Sequence, residues 1–509
     1  MIKLDKILNN VECETTQGFD KDFANINISD ICTDTRDIKD SSLFICLKGA
    51  KFDSHEKIKE IISSKISALV VENISSEDLS YIKENKKDLV VLKAENTRKA
   101  LSVLSINYFE EPHKKLKLIA LTGTKGKTTT SFMIKSIIET YGKKCGLIGT
   151  TGVIYGKNHI EIVNTTPGSY DLNMYLHDMA IDGIEYVVME ISSQAFKLDR
   201  VYGLEFEYGL FLNISPDHIG ADEHENYEEY LSCKMEIIKM SRNFILNVDS
   251  DDASIVYSTA KSLLDENQII TYSINSAKYD SKDVDFVAEN ISYDKKKLGL
   301  RFNIKGDSFE YHIPLIGRYN VYNALAAITV ARSIGIIDEK ISESLSKITI
   351  PGRCEIVYKN DDFIIMVDYA HNAIAMENLL STLREFEPAR LVVLFGCGGN
   401  RSKDRRYGMG KVGAKYADLN ILTADNSRFE KTTDIINDIK STLIPAGGNF
   451  VEIEDRRDAI RFAIENAKKG DLIAVIGKGH EPYNEVNGTR THFLDSEEIL
   501  KIISELNYE

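Results

Sequence analysis

Residues 116–130 read LKLIALTGTKGKTTT, and this stretch decides the fold of the middle of the chain. The apolar run 117–121 predicts a buried strand, and apolar residues at three-to-four spacing over 128–141 predict a helix. Between them, Gly123 and Gly126 allow the backbone to curl tightly, so that backbone N–H groups and the helix N-terminus can face an anion. The pattern therefore predicts a strand, a phosphate-binding loop and a helix in succession.

Two side chains of this loop add specific chemistry to it. Lys127 can reach terminal phosphates, and the hydroxyl of Thr128 can ligate magnesium. The strict G-x-x-x-x-G-K-[ST] spacing is not met, because Leu121 occupies the first glycine position. The alternative is a glycine turn with incidental lysines, but the strand before the loop and the amphipathic helix after it favour phosphate binding.

The composition limits the class of protein. A chain of 509 residues with 43% hydrophobic and 28% charged residues is typical of a folded protein with two to four domains. The net charge of -15 argues against non-specific nucleic-acid binding. No apolar run approaches the roughly 20 residues that span a bilayer. The seven scattered cysteines form no C-x-x-C pair, which favours a reducing cytoplasm without disulfides or a structural zinc.

Short apolar runs alternate with amphipathic stretches along the chain, which indicates β-α units and parallel sheets. Further predicted strands are 186–190, 363–367, 391–395 and 472–476, and further predicted helices are 322–334, 376–386 and 458–468. Polar breaks at 110–115 and 350–353 divide the chain into predicted domains 1–113, 114–349 and 350–509. Within the second domain, extended segments over 268–314 predict an antiparallel insertion.

Many of the predicted strands end in small or polar residues. The segments are LTGTKGKT, MEISSQ, LNISPDH, VDYAH, FGCGGNR, LTADNSR and VIGKGHE. Ligands of open parallel sheets bind outside the carboxyl ends of the strands. We therefore expect these distant segments to line a cleft between domains.

The spacing T-G-T-x-G-K-T-[ST] at 122–129 resembles that of the Mur ligases and their relatives, the folylpolyglutamate synthases. Further segments occur in the order of the Mur ligase family, and they are 164–167, 189–193, 213–218, 315–323, 351–353, 367–371, 395–401, 425–428 and 477–481. The resemblance covers nearly the whole chain. It implies a three-domain α/β fold with a central P-loop parallel-sheet ATPase domain and a Rossmann-like C-terminal domain.

The resemblance implies ATP and Mg²⁺ as cofactors. The nucleotide contacts that it implies are Gly123, Thr124, Lys125, Gly126, Lys127, Thr128 and Thr129, with Asn320 at the adenine, Arg353 at a phosphate and Asp368 at the ribose. The implied metal ligands are Thr128, Glu190 and Lys234, the last as a carbamate, and the implied catalytic residues are Lys127, Glu190, His218 and Lys234. From the residues alone, each has a plainer interpretation.

These plainer interpretations are ordinary structural roles. Glu190 could be a solvated carboxylate at a strand end, and Lys234 a surface lysine within a helix. His218 could be a structural histidine. Asn320 could simply begin a helix, and Arg353 could be a linker residue.

The resemblance also implies where the UDP-linked substrate binds. In the first predicted domain, residues 33–36, 43–45 and 50–52 resemble a uridine-nucleotide site that includes Thr35. Asn164, Thr165, Thr166, Ser192 and Arg200 match positions that hold a muramyl peptide. Gln194 stands where the family pattern predicts a histidine.

Asp425, Asn426, Ser427 and Arg428 follow a predicted strand, and a carboxylate and a guanidinium three residues apart can address the ammonium and carboxylate of one ligand. An exposed ion pair on a turn is the alternative. The resemblance favours meso-diaminopimelate, because Asp-Asn-Pro-Arg is the pattern of enzymes that add it, although Ser427 replaces the proline. Lysine has no distal carboxylate and would leave Arg428 unpaired. Arg406, Gly477 and Glu481 match the other contacts of this substrate.

The expected function is ATP-dependent ligation of meso-diaminopimelate to the D-glutamate of UDP-N-acetylmuramoyl-L-alanyl-D-glutamate through an acyl-phosphate, in peptidoglycan synthesis. We expect a cytoplasmic monomer that acts on small molecules and binds neither nucleic acid nor membrane. The alternatives are the same ligase using L-lysine or another diamino acid, a folylpolyglutamate-synthase-like ligase, and a P-loop ATPase without ligase chemistry. A dinucleotide-dependent oxidoreductase is disfavoured, because the glycines at 396–399 lack the third glycine of G-x-G-x-x-G.

Overall fold

The computed structural model describes residues 1–18, 20–49, 52–217, 219–220, 223–275, 277–278, 283–294 and 298–508. The chain forms two compact units. The first comprises Met1–Val287 and Leu325–Ile341, and the second comprises Ala288–Ala324 and Ser342–Glu509. The boundaries of the three predicted domains stay a prediction.

The first unit begins with a small α/β region. Its strands are β1 (Ile2–Lys3), β2 (Cys13–Gln17), β3 (Asn27–Ile28), β4 (Ile31–Cys32), β5 (Leu43–Ile45), β6 (Ala68–Val71) and β7 (Val90–Ala94), and its helices are α1 (Leu4–Ile7), α2 (Ile58–Ser63), α3 (Ser76–Asn85) and α4 (Thr97–Tyr108). The main sheet has the order β2-β7-β6-β5-β4, in which only β2 runs antiparallel to its neighbour. β5 and β6 are buried throughout, as expected for strands of a parallel sheet covered on both faces.

The central sheet of the first unit carries the predicted phosphate-binding loop. Its strands are β8 (Lys117–Thr122), β9 (Cys145–Gly149), β10 (Gly152–Tyr155), β11 (Asn158–Ile160), β12 (Tyr186–Glu190), β13 (Phe206–Phe211), β14 (Ser241–Asn247) and β15 (Ile269–Ser273), and its helices are α5 (Lys127–Thr140), α6 (Ser169–Ile181), α7 (Ser193–Lys197), α8 (Tyr227–Lys239) and α9 (Ala253–Leu263). The order is β11-β10-β9-β12-β8-β13-β14-β15, parallel from β9 to β15. Because Glu190 lies opposite Leu121 in the register of β12 and β8, the ends of both strands meet at one edge.

Strand β16 (Phe286–Asp294) runs from the first unit into the second. The remaining strands are β17 (Gly299–Ile304), β18 (Glu310–Ile313), β19 (Glu355–Lys359), β20 (Phe363–Asp368), β21 (Arg390–Phe395), β22 (Leu419–Leu422), β23 (Phe450–Glu452), β24 (Asp471–Ile476), β25 (Tyr483–Val486) and β26 (Thr489–His492). The remaining helices are α10 (Tyr319–Ser333), α11 (Asp338–Leu345), α12 (Ala373–Arg384), α13 (Lys403–Tyr416), α14 (Thr432–Leu443), α15 (Arg456–Glu465) and α16 (Asp495–Glu505). A six-stranded sheet has the order β19-β20-β24-β21-β22-β23 and is parallel except for β19.

The predicted α/β alternation is confirmed. Each of the five predicted strands is present, with bounds that differ by no more than one residue. The predicted antiparallel insertion is confirmed over β16–β18 but wrong at its start, because β15 pairs in parallel with β14. Among the helices that the structure describes, none is both long enough and apolar enough to cross a membrane.

Candidate active site

The predicted phosphate-binding loop lies between β8 and α5. Gly126 precedes the helix with a φ of 85°, in the left-handed region that favours glycine. Asn213 follows β13 and holds the loop, because its Oδ1 accepts from the Lys125 N–H and its Nδ2 donates to the Lys125 carbonyl, both at 2.9 Å. The N–H groups in the first turn of a helix have no partner within the helix, so the start of α5 favours an anion.

Lys127 is folded back over this loop. Its Nζ donates to the Gly123 carbonyl at 2.8 Å and to the Thr124 carbonyl at 3.4 Å. A cation held over the loop complements the helix N-terminus, because both favour negative charge at the same place. The arrangement is suited to phosphate oxygens.

Glu190 ends β12 as a fully buried carboxylate, 0% exposed, so the interpretation as a solvated strand end is wrong. It accepts hydrogen bonds from the hydroxyls of Thr128 at 3.0 Å, Thr150 at 3.1 Å and Ser131 at 3.4 Å. Burial raises its pKa, and the nearby Lys127 acts against that shift. A carboxylate and a threonine hydroxyl in contact beside a phosphate loop form a donor set suited to a hard cation.

Lys234 lies on α8 and is 2% exposed, so the interpretation as a surface lysine is wrong. Its Nζ donates to the Gly123 carbonyl at 3.0 Å and lies 4.7 Å from the centre of the Tyr230 ring. Burial lowers the pKa of Lys234 well below its ordinary value, and the charge of Lys127 lowers it further. Three residues of the predicted catalytic set thus surround one loop, and the fourth, His218, lies outside the described residues.

A cavity of about 460 Å³ opens beside this loop. Its lining residues are Gly123, Lys127, Val163, Asn164, Thr165, Ser192, Ser193, Gln194, Leu198, Arg200, Glu223, Tyr230 and Lys234. They include four of the five residues predicted to hold the muramyl peptide. The fifth, Thr166, is buried behind the wall, where its hydroxyl donates to the Glu190 carbonyl and accepts from the Ser192 N–H, both at 3.0 Å.

A second cavity of the first unit, of about 580 Å³, is lined by six of the residues predicted at the uridine site. It is lined by Thr33, Asp34, Thr35, Arg36, Phe44, Leu47, Gly49, Phe52, Ser54, Lys57 and Glu60. The Asp34 carboxylate accepts the Arg36 N–H at 2.9 Å at the start of the short turn at 35–37. The Arg36 guanidinium forms an ion pair with the same carboxylate. Ala50 and Lys51 of the predicted site lie outside the described residues.

The second unit contains the predicted adenine, phosphate and ribose contacts. Asn320 is buried in the first turn of α10 and donates to the Ile316 carbonyl at 2.7 Å, so it has a structural role there. Asp368 ends β20 and accepts the N–H groups of Cys354 and Ala370, each at 2.8 Å. Burial raises the pKa of Asp368, and Arg353 opposes this shift, so the structure brings these two predicted residues close together.

The turn that carries Arg353 is in contact with the loop after β24. A Cβ on Gly352 would overlap the backbone of Gly479 and His480, so only glycine allows this approach. The Arg353 guanidinium lies 4.8 Å from the centre of the Tyr369 ring, and the Tyr369 hydroxyl donates to Glu481 at 3.2 Å. A continuous set of contacts therefore connects Arg353 to Glu481.

The predicted amino-acid site is assembled at the ends of β22 and β24. Asn426 Nδ2 donates to Glu481 Oε2 at 2.8 Å, and Gly477, with a φ of 114°, leaves a Cβ position only 3.2 Å from Asp425 Oδ2. Arg428 has a φ of 52° and donates to the Gly399 carbonyl at 2.7 Å. Asn426 and Glu481 are thus in contact, and the Arg428 guanidinium lies 3.9 Å from Glu485 Oε2. The binding of an amino acid by these residues stays a prediction.

Arg406 is held in a different set of contacts. Its side chain is 1% exposed and pairs with Glu430 at 2.8 Å and with Asp438 at 2.9 Å. These two carboxylates compensate its charge within the protein. Its predicted contact with the amino acid stays a prediction.

Two supporting residues were missed by the sequence analysis. Lys478 is fully buried, donates to Asn426 Oδ1 at 3.1 Å and lies 3.9 Å from Asp425 Oδ1. Arg456 pairs with the buried Asp495 at 2.7 Å and donates to the Ala424 carbonyl at 3.2 Å, which braces the end of β22. Lys478 lies within the quoted segment VIGKGHE, whereas nothing in the sequence around Arg456 distinguishes it from a surface arginine.

His224, Glu229 and Cys233 form a group of potential metal ligands at the start of α8. Glu229, however, pairs with Lys197 at 2.8 Å and accepts the Glu225 N–H at 2.7 Å. His224 Nε2 lies 2.8 Å from the hydroxyl of Ser193. These contacts hold the start of α8 in place, so the group has a structural role.

Known proteins resemble this chain over nearly its whole length. The Mur ligase middle domain matches residues 121–331, and the Mur ligase glutamate ligase domain matches residues 352–479. The chain belongs to the Mur ligase family. It is therefore an ATP-using ligase that acts on small-molecule substrates. The predicted fold class, an α/β Mur ligase fold, is confirmed.

The names of individual relatives describe a more specific reaction than the family does. The UDP-N-acetylmuramoyl-L-alanyl-D-glutamate–2,6-diaminopimelate ligase of Clostridium perfringens is 38% identical over 98% of this chain and 99% of its own. A solved structure of a ligase with the same name is 26% identical, with a TM-score of 0.73 and 100% of both chains covered. A folylpolyglutamate synthase of Mycobacterium tuberculosis, solved with ADP and AMPPCP, is 15% identical, with a TM-score of 0.57 over 75% of this chain and 92% of its own, a likeness of fold alone.

Proposed function

We propose that this chain ligates meso-diaminopimelate to the D-glutamyl carboxylate of UDP-N-acetylmuramoyl-L-alanyl-D-glutamate at the expense of ATP, a step of peptidoglycan synthesis. The observation that carries the proposal is the cavity of about 460 Å³, whose wall joins Lys127 and Lys234 to Asn164 and Arg200. A phosphate loop and a candidate peptide site share one space. The names of the full-length relatives support the same reaction.

The proposed chemistry has two steps. The D-glutamyl carboxylate attacks the γ-phosphorus of ATP, which gives an acyl-phosphate and ADP. The diaminopimelate amine then attacks the acyl carbon, and the tetrahedral intermediate expels phosphate as the amide forms. Lys127 and the N-terminus of α5 stabilise the negative charge that moves through the transferring phosphoryl group, because they are fixed in place before the reaction begins.

Magnesium fits the donor set beside the phosphate loop. Thr128 and Glu190 are already in contact at 3.0 Å, and a carbamate on Lys234 would supply a third oxygen ligand. Bound there, the ion would neutralise phosphate charge. The raised pKa of Glu190 follows from burial, and a neighbouring cation would favour its ionised form.

Lys234 has the properties that carbamylation requires. Because burial lowers its pKa, the amine is uncharged over a wider pH range and its lone pair can attack CO₂. We expect a carbamate resonance in the ¹³C NMR spectrum of the enzyme equilibrated with ¹³C-bicarbonate. The resonance should be absent from the Lys234→Arg variant and retained in Lys239→Arg, a matched lysine of the same helix. A spectrum without it in the wild type would remove Lys234 from the metal site.

The remaining predicted contacts divide between the nucleotide and the amino acid. Asn320, Arg353 and Asp368 are assigned to the adenosine and phosphate part of ATP, with Thr124, Lys125, Gly126 and Thr129 in the loop. Asp425, Asn426, Arg428, Gly477 and Glu481 are assigned to diaminopimelate, with Ser427 and Arg406 beside them. The enzyme is taken to be a cytoplasmic monomer that binds neither nucleic acid nor membrane.

The deciding experiment is phosphate release with each substrate omitted in turn. We expect release to require UDP-N-acetylmuramoyl-L-alanyl-D-glutamate and diaminopimelate together, with lysine a poor replacement. Lys127→Ala should abolish turnover while the circular dichroism spectrum is unchanged, and Lys115→Ala, an exposed control outside the loop, should be active. Phosphate release that is indifferent to both substrates would instead identify a P-loop ATPase without ligase chemistry.

A further inference from the structure

Gln194 carries an amide without a partner in the wall of the cavity of about 460 Å³. Its Nε2 is buried and makes no hydrogen bond to any residue that the structure describes. The backbone carbonyl of the same residue is used normally, since it accepts the Leu198 N–H at 3.0 Å. The unsatisfied group is the side-chain Nε2.

The local structure fixes the backbone from which this amide extends. Gln194 lies in α7 between Ser193 and Ala195, both of which are buried. Ser192 caps the helix by accepting the Ala195 N–H at 3.2 Å, which fixes the rotation of the turn. A buried polar group without a hydrogen bond is unfavourable and uncommon in folded proteins. Its persistence here is explained if a ligand completes it.

The neighbouring polar groups in this wall are already engaged. Arg200 donates to the Thr166 carbonyl at 2.8 Å, and Thr165 shares a 3.2 Å hydroxyl contact with Thr150. Gln194 differs because its primary amide offers two N–H donors and the described residues use neither. Gln194 lines the cavity while its Nε2 is hidden from solvent, so a rotation of the side chain would turn an uncommitted donor toward a bound ligand.

We propose that Gln194 is a specificity-determining residue that donates a hydrogen bond to a carbonyl or carboxylate oxygen in the peptide part of the UDP-linked substrate. The inference rests on the proposed function, which fills this cavity with a dipeptide rich in such oxygens. An amide does not ionise between pH 5 and 8, so this contact is independent of pH, unlike one made by a histidine, whose pKa is about 6.5.

The Gln194→Met variant separates a ligand contact from a structural role. It keeps the length of the side chain and removes the donor, so the KM for the UDP-linked substrate should rise about tenfold. The KM for ATP and for diaminopimelate should change less than twofold. Without substrate, the melting temperature should rise by a few degrees, because an unsatisfied buried group is gone. A merely structural glutamine would give the opposite shift in melting temperature.

Two further variants complete the test. Gln194→Glu should raise the same KM more than Gln194→Met, whereas Asn158→Asp, an exposed isosteric control, should not. Gln194→His should restore a donor and make the KM fall as the pH drops below about 6.5. An unchanged KM in Gln194→Met, with full wild-type activity, would overturn the role of Gln194 alone. An inactive wild type would instead overturn the proposed function.

Discussion

Arg428 is positioned by its backbone as well as by its side chain. Its N–H donates to the Glu485 carbonyl at 2.9 Å, and its carbonyl accepts the Asn487 N–H at 2.7 Å, so β25 and the turn after it hold the residue at its left-handed φ. The guanidinium is further fixed by the Gly399 carbonyl. Recognition of a carboxylate by arginine depends on such fixed orientation, because the planar fork must meet both oxygens.

Replacing Arg428 tests the choice of amino acid. Arg428→Ala should raise the KM for meso-diaminopimelate by about 10- to 100-fold, since a charge-assisted hydrogen bond contributes roughly 1.5–3 kcal/mol. The residual activity with lysine should hardly change, because lysine has no distal carboxylate to lose a partner. Parallel kinetics with both amino acids measure this difference.

Arg242→Ala, an exposed arginine of the first unit, is the control for the loss of a positive charge. Equal losses with diaminopimelate and lysine in Arg428→Ala would contradict recognition of the distal carboxylate. Such a result would assign Arg428 to the structure of the loop.

Single residues differ in how far the sequence predicts them. Glu190 was placed near the phosphate loop because it ends an apolar strand, and strand ends of a parallel sheet share an edge. Lys234 was indistinguishable from a surface lysine, because its burial depends on the packing of α8 against a loop 111 residues away. The sequence also does not predict the pairing of Arg406 with Glu430 and Asp438, because these residues lie in two different helices and a loop.

At the scale of elements, β9 and β12 are adjacent strands, and Gly149 at the end of β9 lies beside Glu190 at the end of β12. A Cβ on Gly149 would lie 2.6 Å from the Glu190 Cδ. The carboxylate has little freedom to move, because the hydroxyls of Thr128, Thr150 and Ser131 surround it. The glycine at the end of β9 therefore leaves the space that the Glu190 carboxylate occupies, beside the proposed metal.

Gly149→Ala should displace the Glu190 carboxylate. We expect at least about a tenfold increase in the Mg²⁺ concentration needed for half-maximal activity, in line with the loss of one charge-assisted contact. The far-ultraviolet circular dichroism spectrum should be unchanged. Gly156→Ala, which meets no atom within 4 Å, is a glycine control in the adjacent hairpin, although its φ of 55° makes a small loss of stability expected there. Unaltered Mg²⁺ dependence in Gly149→Ala would argue against a metal at Glu190.

Strands were predicted more accurately than helix ends, for a physical reason. An apolar run of five residues that is buried on both faces has sharp polar borders. A helix start is set instead by one capping side chain, such as Asn372, which accepts the Ala375 N–H at 2.9 Å, so α12 begins three residues before its apolar pattern does. The parallel pairing of β15 was missed because an isolated strand sequence carries no sign of its partner.

At the scale of the whole molecule, the substrates are assigned to different parts of the chain. The cavities lined by residues within 33–60 and within 123–234 belong to the first unit, and the amino-acid cluster belongs to the second. The sequence predicted the succession of α/β segments but not this division. In particular, α10 was predicted as one helix, and its first six residues belong to the second unit while the rest belong to the first.

Hydrogen exchange with mass spectrometry tests this assignment, because ligand binding slows the local opening of the residues that it contacts. UDP alone should slow exchange over residues 33–60 and leave 425–428 unchanged. Diaminopimelate alone should slow exchange over 425–428 and 477–486, whereas glycine at the same concentration should not. Protection of the first cavity by diaminopimelate would contradict the separate sites.

The glycine contact between the turn at 351–353 and the loop at 477–481 has a thermodynamic consequence. Gly352 touches Gly479, and Arg353 reaches Glu481 through Tyr369, so the residues assigned to the nucleotide and to the amino acid belong to one continuous set of contacts. If ATP binds at Arg353 as proposed, a displacement of Arg353 would also be imposed on the residues assigned to diaminopimelate. Linkage requires the effect to be mutual: the factor by which nucleotide changes the affinity for the amino acid equals the factor by which the amino acid changes the affinity for nucleotide.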